Sequence, residues 1–452
     1  MSRYRLLTLL AIGVLAARSI DRAHASPEVP GAPQSHAIAL VGGTIHPVSG
    51  PAIEHGTLVF DKGKITLIEK GIAVPAEAHF IDVAGKHVYP GLIDANSQLG
   101  LIEIPSVRGT RDLAETGEIN PNVKAQVAFN ADSELIPVGR SGGILTVLTV
   151  PNGGLLTGQS ACMHLDGWSW EDMCLKPGVA LHINWPQMAP VEAWWIEETG
   201  AAQTQNREKS LKAIRQAFAD ARAYATAKEA SAAGKGAVPE FDARWEAMIP
   251  VLERKIPAFI DAEETQQIQA AVSFAEQEKL RLVIVGGYDA PACAELLKKH
   301  DVPVIVAGVH RLPRRRSDPY DSPFTVPARL HAAGIKFCIG GVIGGSSGAS
   351  PANVRNLPHH AGTAAAHGLP PEEALKAVTL YPAKLLGVDD RIGALEVGKD
   401  ATLIVTTGDP LDIPTHVTAA YIQGREVSLN DRHKRLWEKY KEKYRRQGIQ
   451  NP

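Results

Sequence analysis

Hydrophobic and polar residues alternate with a period of two in three segments near the start of the chain, at residues 37–48, 56–71 and 79–90. Gly-Gly and Asp-Lys-Gly sequences accompany these segments, and such sequences are typical of turns between strands. The same alternation returns at residues 401–410 and 416–429. The pattern predicts a small antiparallel β-domain, a β-sandwich formed from N- and C-terminal segments.

The middle of the chain has a different pattern, in which continuous apolar runs replace the alternation. ILTVLTV begins at residue 144, AFIDA at 258, LRLVIVGG at 280, VPVIVAG at 302 and IKFCIGG at 335. Amphipathic helical patterns such as Glu264 to Lys279 and Cys293 to His300 separate the later runs. Apolar strands alternating with helices predict an α/β fold, most simply a (β/α)8 TIM-like barrel. The alternative is an open doubly wound sheet, but no G-x-G-x-x-G sequence supports it.

Two further helical segments stand apart from the barrel pattern. Residues 203–242 are rich in Ala, Glu and Lys and predict a helical excursion, with a lid and a solvated helix pair both open as interpretations. The charged tail helix has Leu436, Trp437, Tyr440 and Tyr444 near i, i+4 spacing, which predicts that these residues pack on the body.

The predicted domains are a signal peptide (1–25), a linker (26–35), the β-sandwich (36–88 and 391–430), the barrel (89–390) and a C-terminal helix and tail (431–452).

Length and charge narrow the class of partner. The chain has 452 residues, of which 44% are hydrophobic, and 47 basic residues balance 49 acidic ones. A chain of this kind buries a large core, and its balanced charge favours neither nucleic acid nor an anionic surface overall. We therefore predict small-molecule or protein partners and no nucleic acid.

The first 25 residues have the three parts of a secretory signal. Arg3 and Arg5 precede the apolar stretch Leu6 to Ala17, and Ala23-His24-Ala25 forms a small-x-small cleavage site. The apolar stretch is too short to span a bilayer. The segment predicts export and cleavage, and hence a secreted or periplasmic protein without a membrane span after cleavage.

The four cysteines carry little information about function. Cys162, Cys174, Cys293 and Cys338 do not match the spacing of a zinc knuckle. Cys162 and Cys174 flank a short segment and either form a disulfide or are simply buried. Packing is the expected role of the other two.

Two motifs resemble a known family. In VYPGLIDANSQLG, residues 88–100, Pro90, Gly91, Ile93 and Asp94 match the P-G-x-I-D-x-H-x-H motif of the amidohydrolase superfamily, particularly its imidazolonepropionase- and dipeptidase-like branch. Residues 381–405 are similar to the closing segment of the same family. The resemblance covers roughly residues 36–430. It implies a barrel with a β-sandwich and hydrolysis of non-peptide C–N bonds in a cyclic amide or dipeptide-like substrate.

The resemblance also implies a divalent metal centre, and the sequence departs from the family there. The two histidines of H-x-H lie two apart on one strand, so that both can bind one ion. Asn96 and Gln98 occupy these positions, and Asp261 takes the place of a later histidine ligand. No histidine occurs between His87 and His164 or between His182 and His300.

The acid at the end of the last strand is missing as well, because no Asp or Glu occurs between Asp321 and Glu372. We therefore predict no metal ligands and no cofactor, with zinc or another divalent metal as the alternative. No catalytic residue is assigned.

Five residues are candidates for a pocket at the strand ends. Asn96, Gln98 and Asp261 form either a hydrogen-bonded polar plug or the lining of a ligand pocket. His310 follows an apolar strand, and Arg355 stands in a charge-poor stretch, where a guanidinium suits recognition of a carboxylate.

Three functions are compatible with these residues. The first is the family's hydrolysis by an unusual or metal-free site. The second is a non-catalytic pseudoenzyme subunit that packs against an intact amidohydrolase, as a hetero-oligomer, with a homo-oligomer also open. The third is a periplasmic small-molecule-binding protein. Fold alone does not decide among them.

Overall fold

The computed structural model describes residues 29–71, 74–341 and 351–449. The predicted signal peptide, residues 1–25, lies outside the described residues. No helix of these three ranges is both long enough and apolar enough to cross a membrane.

The strands follow one another along the chain from the β-domain into the barrel and back. They are β1 (Ile38–Ile45), β2 (Ile53–Asp61), β3 (Lys64–Lys70), β4 (His79–Asp82), β5 (His87–Pro90), β6 (Leu92–Ser97), β7 (Ile144–Thr149), β8 (Leu156–Gln159), β9 (Ala161–His164), β10 (Cys174–Lys176), β11 (Leu181–Asn184), β12 (Ala258–Ala262), β13 (Leu282–Gly286), β14 (Val304–Ala307), β15 (Phe337–Gly340), β16 (Leu403–Thr406), β17 (Val417–Ile422) and β18 (Arg425–Glu426).

The α-helices lie mainly between the barrel strands. They are α1 (Ile136–Ser141), α2 (Trp170–Met173), α3 (Gly200–Ala232), α4 (Ala243–Leu252), α5 (Thr265–Gln277), α6 (Ala294–Lys299), α7 (Ser322–Ala332), α8 (Leu357–Ala366), α9 (Pro371–Lys376), α10 (Leu380–Leu386) and α11 (Arg432–Arg446).

The small β-domain combines both ends of the described chain, as predicted. Its sheet has the order β18-β17-β16-β5-β1-β2-β3, with β4 beside β1. The late strand β16 pairs with the early strand β5 in antiparallel register, Leu403 opposite Pro90. Leu40, Phe60 and Tyr421 fill its core. The two ends of the chain therefore belong to one folding unit.

The barrel is confirmed, with two strands that pair in antiparallel register. β6 and β7 are parallel, and β11 to β15 pair in parallel in that order. Between β7 and β11, β8 and β9 run antiparallel to their neighbours, β9 to β7 and β8 to β11. The segment Pro151 to Leu155 connects β7 to β8 without a helix. A parallel crossover needs a dozen or more residues, so a short connection reverses the chain direction.

Side chains at the end of β6 bind the end of β15. The Asp94 Oδ1 atom accepts hydrogen bonds from Gly341 N at 2.6 Å and from Asn96 N at 3.0 Å. The Asn96 Nδ2 atom donates to Gly341 O at 2.9 Å. Gly340 has no room for a side chain, because a Cβ atom there would lie 2.9 Å from Asn96 Cβ. These contacts join the first and last barrel strands.

The helical excursion is a pair of helices packed against the barrel wall. Helix α3 begins at Gly200, where the N-cap Thr199 accepts from Ala202 N at 3.2 Å, and continues for 33 residues. Its Phe218 packs edge-on against Phe274 of α5, with ring centroids 5.2 Å apart. Tyr224 of α3 donates to Glu246 of α4 at 3.0 Å. Of the two open interpretations, the helix pair is the one that the contacts support.

The expectation for the tail helix was wrong. Leu436, Trp437 and Tyr440 of α11 are 37%, 53% and 47% exposed, and no residue of the helix is buried. The helix is held at its first turns instead, by a 2.7 Å ion pair between Arg435 and Glu134 and by its buried N-cap, Asp431. Periodicity identified the helix but not whether a partner surface covers its apolar side.

The four thiols are free in the structure. Cys162 and Cys174 lie on the paired strands β9 and β10, and Cys162 is fully buried. Burial raises the pKa of the Cys162 thiol to about 12. Of the two alternatives for this pair, the structure shows no disulfide; the Cys162 thiol is buried and Cys174 is partly exposed.

Candidate functional site

The carboxyl ends of the parallel strands β6, β12, β13 and β14 carry most of the polar groups of the barrel mouth. In α/β barrels this end of the strands is where ligands bind. Asp94 and Asn96 come from β6, and both are buried. Burial raises the pKa of Asp94 to about 7, although the N–H groups of Asn96 and Gly341 act in the opposite direction. The mouth therefore contains one carboxyl that is partly protonated at neutral pH.

Asp261 is the second carboxyl with a pKa near neutrality. It lies on β12, opposite Asn184 of β11, and its side chain reaches solvent. The protein around its carboxyl nevertheless displaces much of the water, and this desolvation together with Glu263 raises its pKa to about 7. Arg311 and Arg314 oppose this shift. Asp261 is thus an open carboxyl that gains or loses a proton near pH 7.

Glu263 and Arg311 form a two-point ion pair beside Asp261. The Arg311 Nη1 and Nη2 atoms donate to Glu263 Oε1 and Oε2 at 2.5 and 3.0 Å. Tyr288 N also donates to Glu263 at 3.0 Å, and the Arg311 guanidinium lies 5.2 Å from the Tyr288 ring centre. Gly286 leaves the space that Glu263 needs, because a Cβ atom there would lie 2.9 Å from Glu263 Cδ. The pair is therefore rigidly placed.

Sequence reasoning missed Glu263, Tyr288 and Arg311 as site residues. Each follows the end of a predicted apolar strand, by one residue after β12, two after β13 and four after β14. The signal available in the sequence was that each of these residues comes shortly after a predicted strand. That signal did not reveal that the three side chains meet.

The five predicted pocket residues lie in different environments and do not form one pocket. Asn96 is bonded to Gly341, and Gln98 is buried beyond the end of β6. Asp261 lies with the Glu263–Arg311 pair. His310 Nε2 is 2.7 Å from Thr363 Oγ1, and its ring contacts that of His360.

Arg355 is not placed with the other candidates. Its Nη1 atom lies 3.1 Å from His433 Nε2 of α11. A Cβ atom built on Gly142, which precedes β7, would lie 3.5 Å from Arg355 O. Arg355 therefore lies beside the residues that enter β7, at the amino-terminal end of that strand. The charge-poor sequence around it did not indicate this position.

The described residues do not fit the metal centre that the family resemblance implies. Residues 29–71, 74–341 and 351–449 contain no group of three or more His, Cys, Asp or Glu placed to hold an ion. The intervening segment 342–350, VIGGSSGAS, has none of these residue types. The Asn96 amide already donates to Gly341, and neutral amides are weak ligands for zinc.

Among the buried polar atoms that have no hydrogen-bond partner within the described part of the chain, two belong to residues already described at the barrel mouth. They are Asn96 Oδ1 and Arg311 Nε. Buried polar groups nearly always have a partner, from protein, water or a bound molecule. The barrel mouth therefore retains hydrogen-bonding capacity.

A cleft of about 1210 Å³ opens elsewhere, near the amino-terminal ends of β13 to β15. Leu282, Pro303 and Phe337 line it, together with Tyr381 of α10. It is separate from the group around Asp261.

The comparisons with known proteins agree with the fold. The model of the amidohydrolase family matches residues 257–429. A crystal structure of an amidohydrolase from Thermotoga maritima MSB8 has a TM-score of 0.75 and 27% identity, covering 86% of this chain and 99% of that one. The amidohydrolase tasK of Hapsidospora irregularis is 21% identical over 403 residues, 82% of this chain. The chain spans 39% of the length of tasK.

A shorter match links the chain to deacetylases. The N-acetylglucosamine-6-phosphate deacetylase of Bos taurus is 45% identical over 62 residues, which is 14% of each protein. The barrel, the composite β-domain and these likenesses place the chain in the amidohydrolase superfamily. Membership, predicted from the two end motifs, is confirmed.

Proposed function

We propose that the protein is a small-molecule-binding member of the amidohydrolase superfamily that works without a metal centre. The observation that carries this proposal is Asp261, an open carboxyl with a pKa of about 7 beside the Glu263–Arg311 pair. The unpartnered atoms Asn96 Oδ1 and Arg311 Nε support a polar ligand. Such a ligand presents hydrogen-bond donors to Asp261, as amides and amines do.

Binding should depend on pH through Asp261. Its pKa of about 7 means that the carboxylate form increases as the pH rises from 6 to 8. Calorimetric titration with the dipeptide Ala-Pro and the cyclic amide dihydrouracil should therefore show affinity that increases about tenfold over this range. Asp261→Asn should remove the pH dependence, whereas Asp318→Asn, on the outer side of Tyr288, should preserve it. Equal pH dependence in the Asp261→Asn protein would contradict this role.

Hydrolysis of a C–N bond is the second candidate, favoured by the same carboxyl. A general base is most effective when its pKa lies near the working pH, and Asp261 meets this condition. It would accept a proton from the water that attacks the amide carbon and pass that proton to the leaving nitrogen as the C–N bond breaks. Chromatographic detection of released amino acid from Ala-Pro, absent in Asp261→Asn, would establish this candidate. If the protein binds Ala-Pro but no amino acid is released, the result favours the first proposal, a small-molecule-binding protein.

Metal content provides an independent check. Purified protein should contain well under one equivalent of zinc, manganese or iron by elemental analysis, because the strand ends lack the necessary donors. Treatment with EDTA should leave the melting temperature and ligand affinity unchanged. One equivalent of bound metal that is lost together with affinity would overturn the metal-free proposal.

We further propose that the protein is exported and that its partners include an intact amidohydrolase homologue. The proposal of export rests on the signal-like residues 1–25. The proposal of a partner rests on Asn96 and Gln98, which replace the two histidines of H-x-H. Fractionation of the native cell tests export. Purification of the protein from the native cell tests the partner. A bound homologue with a complete H-x-H motif is expected, and recovery of the protein alone would count against this partner.

A further inference from the structure

Helix α11 presents an apolar stripe that the rest of the described chain leaves uncovered. Leu436, Trp437, Tyr440 and Tyr444 fall within an arc of about 100° on a helix with 3.6 residues per turn. The first three are 37%, 53% and 47% exposed, and Tyr444 is half-buried. Large apolar side chains grouped on one exposed face usually mark an interaction site.

The remainder of the helix is strongly basic. Between Arg432 and Arg446 it carries eight Lys or Arg and two Glu, whereas the whole chain has a net charge of -2. Lys439 and Lys443 border the apolar stripe, with Nζ atoms 5.9 and 5.8 Å from the Tyr440 ring centre. Cations therefore flank the aromatic residues along the helix.

The body fixes the direction in which α11 projects. Arg435 pairs with Glu134 at 2.7 Å, His433 lies 3.1 Å from Arg355, and the N-cap Asp431 is buried. These contacts involve only the first turns. The apolar stripe begins at Leu436, directly after them, so the body holds the helix without covering its stripe.

We infer that α11 is a peripheral membrane-binding helix that lies on an anionic lipid surface. An amphipathic helix with Trp and Leu on one face and Lys and Arg on the other inserts its apolar face at the headgroup boundary. Anionic lipids attract the basic residues. This inference is independent of the barrel mouth.

Two other occupants fit the helix less well. Pairing of α11 with the same helix of a second copy would bring two strongly positive surfaces together, which repel at short range. A nucleic acid would satisfy the cations, but its phosphate backbone leaves Leu436 and Trp437 without apolar partners. Of these three occupants, the lipid surface is the one that accommodates both the charge and the stripe.

Co-sedimentation of the full chain with vesicles tests the inference. The protein should pellet with vesicles of phosphatidylcholine containing about one third phosphatidylglycerol, and much less with pure phosphatidylcholine. The double variant Trp437→Glu/Tyr440→Glu should bind at least about tenfold more weakly. Lys439→Gln/Lys443→Gln should lose about fivefold for each cation removed. Because these side chains are not buried in the fold, the variants should retain the wild-type circular dichroism spectrum.

Matched changes at other exposed sites provide the controls. Trp168 is 69% exposed, and Trp168→Glu should leave vesicle binding unchanged. Lys209→Gln/Lys212→Gln removes the same charge from exposed positions of α3 and should likewise have little effect. The inference is overturned if wild-type protein does not pellet with anionic vesicles, or if the control variants lose as much binding as the α11 variants. Binding to duplex RNA that is insensitive to Trp437→Glu/Tyr440→Glu, without vesicle binding, would identify a nucleic-acid surface instead.

Discussion

Replacing Asp166 by Asn should lower the free energy of unfolding by about 3–5 kcal/mol. Asp166 and Arg140 form a 2.7 Å ion pair in which both side chains are almost completely buried, at 1% and 3% exposure. The substitution preserves shape but leaves the Arg140 charge in the interior without its counter-charge. An uncompensated buried charge is among the most destabilising changes that one substitution can make.

Asp166 also joins three distant parts of the chain. Its Oδ2 atom accepts from Gly31 N at 3.1 Å, and its backbone oxygen accepts from Arg425 of β18 at 3.3 Å. Arg140 belongs to α1, beside the barrel. The Asp166→Asn protein should therefore be cleaved faster by protease near residue 31, in addition to unfolding at lower urea concentration.

Asp301→Asn is the matched control for this prediction. Asp301 pairs with Lys336 at 2.7 Å, but the two side chains are 76% and 70% exposed. Exposed pairs contribute little, so the change should cost less than about 0.5 kcal/mol. Asp301 has a φ of 49°, which Asn tolerates as well as Asp does. Similar losses in the two proteins by urea denaturation would contradict the role of the buried pair.

Two substitutions of Asp94 should have opposite effects on stability at pH 8. The two hydrogen bonds that this side chain accepts from described residues, from Gly341 N and Asn96 N, both go to the single atom Oδ1. The amide oxygen of Asn can accept both, so Asp94→Asn keeps the connection between β6 and β15 without a buried charge. It should be about 1–3 kcal/mol more stable than wild type. Asp94→Ala leaves two N–H groups without acceptors and should be about 2–4 kcal/mol less stable.

The pH dependence of wild-type stability follows from the same group. Burial raises the pKa of Asp94 from 3.8 to about 7, so the folded protein holds a proton that the unfolded chain has already lost at pH 5. The stabilising contribution is complete below pH 3.8 and is lost as the pH rises through 7. Its size is at most about 4 kcal/mol.

Urea denaturation between pH 4.5 and 8 measures this dependence. Stability should fall with rising pH more steeply in wild type than in the Asp94→Asn protein. Asp318→Asn serves as the control, because Asp318 is bonded to Tyr288 near the surface and should leave the slope unchanged. Parallel curves for wild type and Asp94→Asn would show that Asp94 is already ionised in the folded state.

Much of the fold could be predicted because local pattern and burial coincide. The apolar runs at 258–262 and 280–287 became β12 and β13, since strands covered on both faces must be apolar along their whole length. The helix predicted for residues 264–279 is α5, Thr265–Gln277. The direction of β8 and β9 was not predicted, because an apolar strand has the same pattern whether it runs parallel or antiparallel.

The candidate site was less predictable, because it depends on contacts between residues far apart in sequence. Asn96 and Asp261 were found by comparison with a motif, and each was placed at a strand end as expected. That Asn96 binds Gly341, which directly follows the last barrel strand and is 245 residues away, is a property of barrel closure. Glu263 and Arg311 meet for a related reason, since the parallel strands β12, β13 and β14 bring the residues that follow them to one edge of the sheet.

The sequence by itself determined the succession of strands and helices, the contribution of both chain ends to one sheet, and the absence of histidine from the H-x-H positions. These properties reside in residue type and short-range order. Only the tertiary structure decided which polar groups share an environment, because hydrogen bonds and burial depend on folding distant segments together. It moved Arg355 away from the other candidates, left the stripe of α11 uncovered, and placed Asp94 and Asp261 where loss of water raises the pKa of each to about 7.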